Sequence, residues 1–403
     1  MFRHYQSLPA QVWILCLGSF INRAGSFVLV FLTIYASEKL GFDVAFATTC
    51  LGAVGFGSIV GSMAGGQLAD HWGRKPVMLT ALFGGGALLL LLSTQTDRWL
   101  FLLNIASFAM VAEMYRPAAS AMIGDLVTTE RRPHAFALMY ISINLGFAVA
   151  PPLGGWIAKY DYSLLFLGDA MTTAIYGGVI FLLVRETVPK SDSDEAESRQ
   201  VGLIEALGHI RRDPTFLSFC VSTFLLGIVF TQGFSTLPLF MKQAGFSNVE
   251  LGMLLSINGV MIVVLQLPLT HWLQRFNAMA MLMIGGTLIG IGFGLTAVAV
   301  SAAVLALTIV VWTLGEIIQA PLQQSIVTDM APPKLRARYL GTYTMSFACA
   351  LTVGAPFGGR LLSEYGPAVL WSVMFGIAAM AIATYSAIFR RVTLRLAMAD
   401  GED

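Results

Sequence analysis

Four ionisable side chains stand inside long apolar stretches of the sequence, where a charge is costly. Glu113 and Arg116 are three residues apart, so a helix would place them on one face. Arg23 falls in the first apolar stretch and Glu316 in a late one. An ionisable group at mid-membrane costs about 2.5–3.5 kcal/mol on insertion scales, so it normally faces a cavity or a partner. We expect these residues to line an internal polar site, with Asp169 nearer one edge.

Glu316 is the acid best suited to bind and release a proton. No basic residue lies within one helical turn of it, and an acid in a low dielectric without a nearby positive charge tends to keep its proton. Glu316 is therefore the main proton-coupling candidate, followed by Asp169 and Glu113. Two structural alternatives stand beside this interpretation. Glu316 could be a permanently neutral acid bonded across helices, and Glu113 with Arg116 could be a buried ion pair that fixes packing.

Other polar side chains on the apolar segments offer hydrogen bonds to a solute. The predicted substrate-binding set is Arg23, Glu113, Arg116, Asn22, Gln232, Asn258, Glu316 and Gln319. Aromatic residues such as Phe230 and Trp312 would make the same site apolar and adaptable. Most aromatic residues are expected to pack or to face lipid instead.

The composition requires a membrane around these residues. Of 403 residues, 56% are hydrophobic and 12% are charged, whereas soluble domains carry about 25% charged residues. The 27 Phe, 11 Tyr and 7 Trp exclude a disordered chain, and four Cys exclude a disulfide scaffold. A spanning helix takes about 20 residues, so twelve such helices with loops would use the whole chain.

Apolar runs and their interruptions predict twelve transmembrane helices. The segments are 11–37, 44–69, 76–95, 99–124, 135–158, 163–184, 215–240, 249–269, 279–299, 301–327, 340–362 and 367–389. With the N-terminus inside, 17 of the 24 Lys and Arg lie at inner loops and tails and 5 at the outer edge. The positive-inside rule then predicts that both termini are cytoplasmic, in a multi-pass cell (inner) membrane.

The two halves of the sequence repeat one another at an offset of 204 residues. Pro117 meets Pro321, Asp125 meets Asp329, and the pair at 154–155 meets the pair at 358–359. The repeat predicts an all-α fold of two pseudo-symmetric six-helix bundles that enclose a mid-membrane cavity. The predicted domains are 1–185, a cytoplasmic linker 186–214 with a short interfacial helix, and 215–403.

The loop after the second helix carries the most specific motif, Gly66-Gln-Leu-Ala-Asp70-His-Trp-Gly73-Arg74-Lys-Pro. Gly66 would let helices approach closely and Gly73 would allow a tight turn. Asp70 can hold Arg74 as a switchable latch; a positive-inside turn with no mechanical role is the alternative. Asp125 is a further gate charge, for which ordinary interfacial anchoring is the alternative. The motif resembles the signature loop of the major facilitator superfamily, and the resemblance implies that family's twelve-helix fold over nearly the whole chain.

The fifth helix contains a second motif, Gly146-Phe-Ala-Val-Ala-Pro151-Pro152-Leu-Gly154-Gly155. Its small residues permit close contact, and its prolines remove backbone donors and bend the helix. It is similar to the antiporter motif of that superfamily, which implies an exchanger of the drug–proton antiporter type. Generic small-residue packing is the alternative.

One position departs from the pattern of proton-linked members, because Asn104 stands where they commonly place an arginine in helix four. Proton coupling therefore cannot be carried over to this chain through that residue.

These observations predict a proton-coupled exporter of amphipathic or cationic organic compounds that works by alternating access. The expected partners are a small organic substrate, protons and the lipid bilayer, for a monomeric protein without nucleic acid. No cofactor or metal is expected, since the proton gradient would supply the energy, and no enzyme motif such as a Walker loop or HExxH occurs. The alternatives are a proton-linked uptake symporter or lipid transporter on the same fold, and a non-transporting membrane sensor.

Overall fold

The computed structural model describes residues 8–128, 131–187, 208–273, 275–299, 301–332 and 335–399, and all regular structure in these ranges is helical. The helices in chain order are α1 (Ala10–Ala24), α2 (Phe27–Ile34), α3 (Val44–Trp72), α4 (Arg74–Leu79), α5 (Gly85–Leu92), α6 (Arg98–Glu113), α7 (Tyr115–Leu126), α8 (Arg132–Ala158), α9 (Ser163–Leu183), α10 (Pro214–Thr231), α11 (Thr236–Gln243), α12 (Asn248–Leu273), α13 (Ala278–Leu295), α14 (Ala302–Met330) and α15 (Arg336–Ala399). The predicted all-α membrane fold is confirmed.

In the described part of the chain, ten helical stretches are long and apolar enough to cross a membrane. The difference from the twelve predicted segments has two causes. The last stretch, Arg338–Ala397, contains both final segments, which are divided where Gly366 adopts φ 79°. The predicted fourth segment is split at Met114 into α6 and α7, and neither part is long enough alone.

Three of the predicted segments are interrupted rather than continuous. The first breaks at Gly25–Ser26, the fourth at Met114 and the seventh between α10 and α11. Pro117 contributes to the second break, since it lacks the N–H that would bond to the Glu113 carbonyl. Two wide π-helical turns, Tyr35–Lys39 and Thr80–Gly84, continue α2 and join α4 to α5.

The chain forms two compact units, and the division does not simply follow the sequence repeat. One unit contains Met1–Lys190 and Phe234–Val263; the other contains Ser191–Gly233 and Val264–Asp403. The first unit thus includes α11 and the first part of α12. The predicted domain boundaries stay a prediction. Most of the proposed linker helix lies outside the described residues, which resume with a helical turn at 208–211.

Glycine stripes set the closest helix crossings in each unit. In the first unit α3 lies on α6, and a Cβ at Gly61 or Gly65 would stand 2.1 or 2.6 Å from backbone atoms of Met110 or Met114. In the second unit α13 crosses α14 at Gly285 and Gly315, where a Cβ on Gly315 would lie 2.4 Å from the facing carbonyl. These positions exclude any side chain larger than hydrogen without separating the helices.

A buried hydroxyl cluster ties three helices of the first unit. Ser19 on α1 lies 3.2 Å from the hydroxyls of both Tyr115 on α7 and Tyr176 on α9, and those two hydroxyls bond to each other. Tyr176 also bonds to the Leu15 carbonyl at 3.0 Å. The cluster holds α1, α7 and α9 together and satisfies phenol groups that burial would otherwise penalise.

Candidate functional site

Arg74 is the centre of a charged network at the end of α3. Its Nη1 lies 2.7 Å from the Ala69 carbonyl and 3.3 Å from Asp70 Oδ1, and its Nε lies 3.2 Å from Asp125 Oδ2. The side chain of Arg74 is only 9% exposed, whereas that of Asp70 is 51% exposed. The structure therefore brings together the three predicted gate charges, with Asp125 on α7 as the less exposed acid partner.

Glu186 is a further member of this network that the sequence did not single out. Its carboxylate accepts the backbone N–H of Arg74 at 2.9 Å and of Lys75 at 3.0 Å. It thereby caps the start of α4, and its negative charge interacts favourably with the positive end of the helix dipole. The turn depends on Gly73, which has φ 98°, as its predicted role requires. An acid just beyond the sixth helix was the only available sequence signal for Glu186.

Gly66 does not have the role predicted for it. A Cβ built at Gly66 meets nothing within 4 Å, whereas one at the preceding Gly65 would overlap the Met114 backbone. Gly57, Gly61 and Gly65 recur every four residues and share the face of α3 that contacts α6. Gly66 is rotated about 100° from that face, so the expected close approach belongs to Gly65.

The antiporter-like segment of α8 packs against the start of α12 inside the first unit. A Cβ at Gly252 would lie 2.2 Å from the Pro151 carbonyl and 3.2 Å from Pro152 Cα. A Cβ at Gly155 would lie 2.3 Å from the Asn248 carbonyl. Two glycines facing opposite backbones make this contact as close as helices can pack.

Gly154 faces the other way, toward the first membrane helix. A Cβ on it would meet the rings of Phe31 at 2.8 Å and Phe27 at 3.3 Å. The small residues of the motif therefore serve two contacts at once, with α2 on one face and α12 on the other.

A polar cluster closes the end of the first unit at which α2, α8 and α11 meet. Lys242 Nζ lies 3.4 Å from Glu38 Oε1, and the Tyr162 hydroxyl donates to Glu38 Oε2 at 2.6 Å. The same hydroxyl lies 3.1 Å from Asn248 Oδ1. One hydroxyl proton serves one acceptor at a time, and the charged carboxylate is the stronger. Asn248 in turn reaches the Ala158 carbonyl at 3.4 Å.

A separate exposed pair lies at the same end of the unit. Lys39 Nζ is 3.5 Å from Asp161 Oδ1, with both side chains about half exposed. The N–H of Ser163 bonds to Asp161 Oδ1 at 2.9 Å and, with Lys39, lowers the pKa of that carboxyl. This arrangement keeps Asp161 ionised and fixes the start of α9.

The predicted cluster of Arg23, Glu113 and Arg116 is only partly present. Arg116 Nη1 lies 3.6 Å from Glu113 Oε1, but the Arg116 side chain is 70% exposed. Arg23 makes no ion pair within 4 Å with Glu113, both of which are in the described chain; its guanidinium lies 5.4 Å from the Phe147 ring centroid. Of the predicted cluster, the structure therefore contains the Glu113–Arg116 pair, with Arg23 separate from it.

Asp169 and Asn22 are placed together at the break in the first membrane helix. Asp169 on α9 is 5% exposed and accepts the Val28 N–H at 3.4 Å. Asn22 donates to the Thr173 hydroxyl at 2.9 Å. Asn22 is thus engaged between α1 and α9, and Asp169 is a buried acid of the first unit.

The predicted binding residues Gln232 and Gln319 are bonded inside the second unit. Gln232 is fully buried and donates to the carbonyls of Ile228 and Gly354, both at 2.9 Å. Gln319 is 4% exposed, donates to the Leu282 carbonyl at 3.0 Å and accepts from Gln323 at 3.0 Å. Both amides join helices of the unit, which the residue types alone did not reveal.

Gln323 extends this bonded chain to two tyrosines. Its Oε1 accepts a hydrogen bond from the Tyr343 hydroxyl at 2.9 Å, and its Nε2 donates to the Tyr385 hydroxyl at 3.3 Å. The Tyr385 hydroxyl in turn lies 3.4 Å from the Thr223 hydroxyl. The second unit therefore contains a continuous buried polar network across α10, α14 and α15.

Glu316 lies on α14, one helical turn from an aromatic cluster. It is half-buried and stands four residues after Trp312, on the same helical face. The Trp312 ring centroid is 5.8 Å from that of Phe230 and 5.3 Å from that of Phe293. An acid beside an aromatic cluster can attract a positive charge and an apolar ring together. Asn258 is half-buried on α12, in the first unit.

Asn104, at the position where proton-linked members commonly have an arginine, forms hydrogen bonds between neighbouring segments. It is 5% exposed, and its amide nitrogen lies 3.3 Å from both the Leu88 carbonyl and Gln95 Oε1. These bonds join α6 to α5 and the loop that follows it.

A family model described as Major Facilitator Superfamily matches residues 15–348 and 249–398. Among curated relatives, the chain is 25% identical over 389 residues to the uncharacterized MFS-type transporter YqjV of Bacillus subtilis (95% of this chain, 94% of that protein). It is 24% identical to a "Na(+), Li(+), K(+)/H(+) antiporter" of Planococcus maritimus (86% and 88%). It is 21% identical to the multidrug resistance protein MdtH of Cronobacter sakazakii (77% of each chain).

Solved structures with the same fold are more distant in sequence. A peptide transporter superposes with a TM-score of 0.81 at 18% identity, over 96% of each chain. The nucleoside transporter NupG superposes with a TM-score of 0.79 at 17% identity, over 94% of this chain and 99% of that one. At these identities the similarity shows a shared fold and nothing about the substrate.

Proposed function

The chain belongs to the major facilitator superfamily, and on this premise we propose that it is a proton-coupled exporter of amphipathic or cationic organic compounds. It is a multi-pass membrane transporter of small molecules rather than an enzyme. The observation that carries the finer proposal is Glu316, a half-buried acid one turn from Trp312 and its aromatic neighbours. That pairing offers one site for a proton or for a positively charged substrate, but not for both together.

Competition for one carboxylate is sufficient for exchange. A substrate cation displaces the proton from Glu316 on one side of the membrane, and a proton displaces the cation on the other. Alternating access would expose the acid to the two sides in turn. Because one proton is exchanged for one positive charge, no net charge crosses the membrane, and the pH difference supplies the drive at about 1.4 kcal/mol per tenfold difference in proton concentration. Both termini would be cytoplasmic, as the distribution of Lys and Arg predicts.

The packing of α8 supports exchange over uniport. At Pro151, Gly155 and Gly252 the two helix backbones are in direct contact. So close a contact limits the leakage of ions and solutes when no substrate is bound. Two relatives that align over most of the chain are named as a cation/proton antiporter and a multidrug resistance protein. The first name agrees with exchange and the second with the export of organic compounds.

The proposal is tested with purified protein in lipid vesicles under an imposed pH gradient. We expect efflux of aromatic organic cations to depend on the gradient and to be lost in Glu316→Gln. The matched control is Glu364→Gln, which changes an exposed acid of the same unit and should transport normally. Full proton-linked efflux by Glu316→Gln would overturn the assignment. Transport only of Na⁺ or K⁺, or substrate movement with the proton in the same direction, would replace it with cation exchange or symport.

A further inference from the structure

The break in the first membrane helix leaves backbone groups that need partners away from water. Gly25 and Ser26 stand between α1 and α2, and Ser26 has a non-helical ψ of 61°. In a continuous helix the Val28 N–H would bond to the Ala24 carbonyl. Here it is among the first amides of a new helix, which have no partner within their own helix.

Asp169 supplies the missing acceptor from a neighbouring helix. Its Oδ2 lies 3.4 Å from the Val28 nitrogen, and Val28 and Asp169 are 3% and 5% exposed. The carboxylate also lies at the positive end of α2, which favours a negative charge. The amide and the acid therefore depend on each other in a site closed to water.

The rest of the joint fixes α1 to α9 without using charge. Asn22 donates to the Thr173 hydroxyl at 2.9 Å, and a Cβ on Gly25 would overlap the Thr172 hydroxyl at 2.0 Å. Ser26 bonds back to the Asn22 carbonyl at 3.1 Å. Since these neutral contacts do not titrate, the bond between Asp169 and α2 is the part of the joint that a proton can alter.

The charged surroundings of Asp169 are simple. The described helices α1, α2, α4, α5 and α8 pack against α9. Arg23 on α1 is their charged side chain nearest in sequence to the break, whereas Arg132 and His134 stand at the start of α8. The charges of α4 are Arg74 and Lys75, and Lys75 bonds to the Phe181 carbonyl near the end of α9 at 2.8 Å. The Val28 N–H donates to this carboxylate, and a hydrogen bond to an ionised acceptor is about twice as strong as one to a neutral acceptor. Protonation of Asp169 would therefore weaken the bond that holds the start of α2.

We propose that Asp169 is a proton-binding residue that controls the first membrane helix: ionised, it holds the start of α2 against α9, and protonated, it releases it. As a coupling device this rests on the proton exchange proposed above. The consequence reaches the far end of the same segment, because α2 and its π-helical turn lead to Glu38, which pairs with Lys242. Proton binding at Asp169 would thus loosen the contact between α2 and α11.

Hydrogen exchange on the full-length protein in lipid nanodiscs tests this without any transport. In the wild type, exchange of the peptide covering residues 27–34, corrected for the intrinsic effect of pH, should rise in one step on acidification. Asp169→Asn keeps an acceptor oxygen but removes the titrating group, so its exchange in this peptide should show no step with pH. Glu316→Gln and Asp161→Asn should retain the wild-type step, since one acid belongs to the other unit and the other lies outside the buried joint.

The outcomes separate this inference from the proposed function. A wild-type peptide without a pH step, or a step that persists in Asp169→Asn, would overturn the role of Asp169 even if Glu316-dependent exchange is found. A step that is lost only in Asp169→Asn supports it even if no proton-driven efflux is measured. If Asp169→Asn does not fold, Asp169→Glu keeps an acid one methylene further out, and an unchanged midpoint and amplitude would count against the proposal.

Discussion

Glu38 and Lys242 occupy equivalent positions in the 204-residue repeat and form an ion pair of 3.4 Å. Residues at equivalent positions of a duplicated fold meet only where they lie beside the axis that relates the copies. Because the two residues carry opposite charges, they attract each other, whereas two identical charges at these positions would repel. Tyr162 adds a neutral donor to the same carboxylate at 2.6 Å. This polar cluster joins α11 to the first membrane helix.

Breaking the pair should loosen α11 by a modest amount. Lys242→Met keeps the apolar stem but removes the charge. The pair is partly exposed, and surface pairs contribute about 0.2–1 kcal/mol. We expect amide exchange in α11 to rise roughly one-and-a-half- to fivefold by that energy. The control Lys39→Met breaks the exposed pair with Asp161 and should leave α11 unchanged. Exchange that stays high in the charge-swapped double variant Glu38→Lys, Lys242→Glu would argue against an electrostatic role.

Two adjacent glycines of α3 should respond oppositely to the same change. Gly65→Ala forces a methyl group against the Met114 backbone at 2.6 Å and should lower the free energy of unfolding by about 1–3 kcal/mol. Gly66→Ala meets no atom within 4 Å and should leave it unchanged or raise it by up to about 1 kcal/mol through helix propensity. Denaturant unfolding in detergent measures both. Equal losses in the two variants would contradict the observed orientation of α3.

The sequence was most informative where one motif holds all the interacting residues. Asp70 and Arg74 are one helical turn apart, so their contact follows from helix geometry, and the repeat drew attention to Asp125. The twelve-segment pattern was likewise readable, because a bilayer requires apolar length. Gly66 was chosen over Gly65 because a motif records residue types but not the rotation of the helix about its axis.

Contacts between distant segments could not be read in this way. Gly25 and Ser26 occur in an apolar run that contains other small residues, and only the acceptor on Asp169 reveals why a break is tolerated there. Gln232 offered the same amide whether it binds a solute or another helix. Lys242 could have been paired with Glu38 from the repeat, since 38 and 242 differ by 204, but charge at equivalent positions gives no distance.

A charged cluster at the start of α10 should make stability depend on acid. Asp213 caps α10 through the Phe216 amide at 3.0 Å and accepts Arg395 at 2.7 Å and Tyr339 at 3.0 Å. Burial alone would raise the pKa of Asp213, but these hydrogen bonds together lower it below its usual value. Its ionised form therefore stabilises the fold above the unfolded pKa of about 3.9, and this contribution is lost as the pH falls through the folded value.

Thermal unfolding of the wild type and Asp213→Asn over a pH series measures this. The variant keeps an N-cap acceptor but loses the ion pair, so its melting temperature should be lower at neutral pH and approach the wild type in acid. Arg395→Gln should show the same convergence. A constant difference down to low pH would show that Asp213 acts by packing rather than by charge.

Gln232 provides a final test of which predicted binding residues are structural. Its amide nitrogen serves the carbonyls of Ile228 and Gly354, and a Cβ on Gly358 would stand 2.0 Å from its Oε1. Replacing it by a similar apolar side chain leaves a buried carbonyl of α15 without that donor, at a cost of about 1–3 kcal/mol. Gln232→Met should therefore unfold more easily while transporting with an unchanged KM. A raised KM at unchanged stability would return Gln232 to the substrate site, because only contact with the solute predicts that combination.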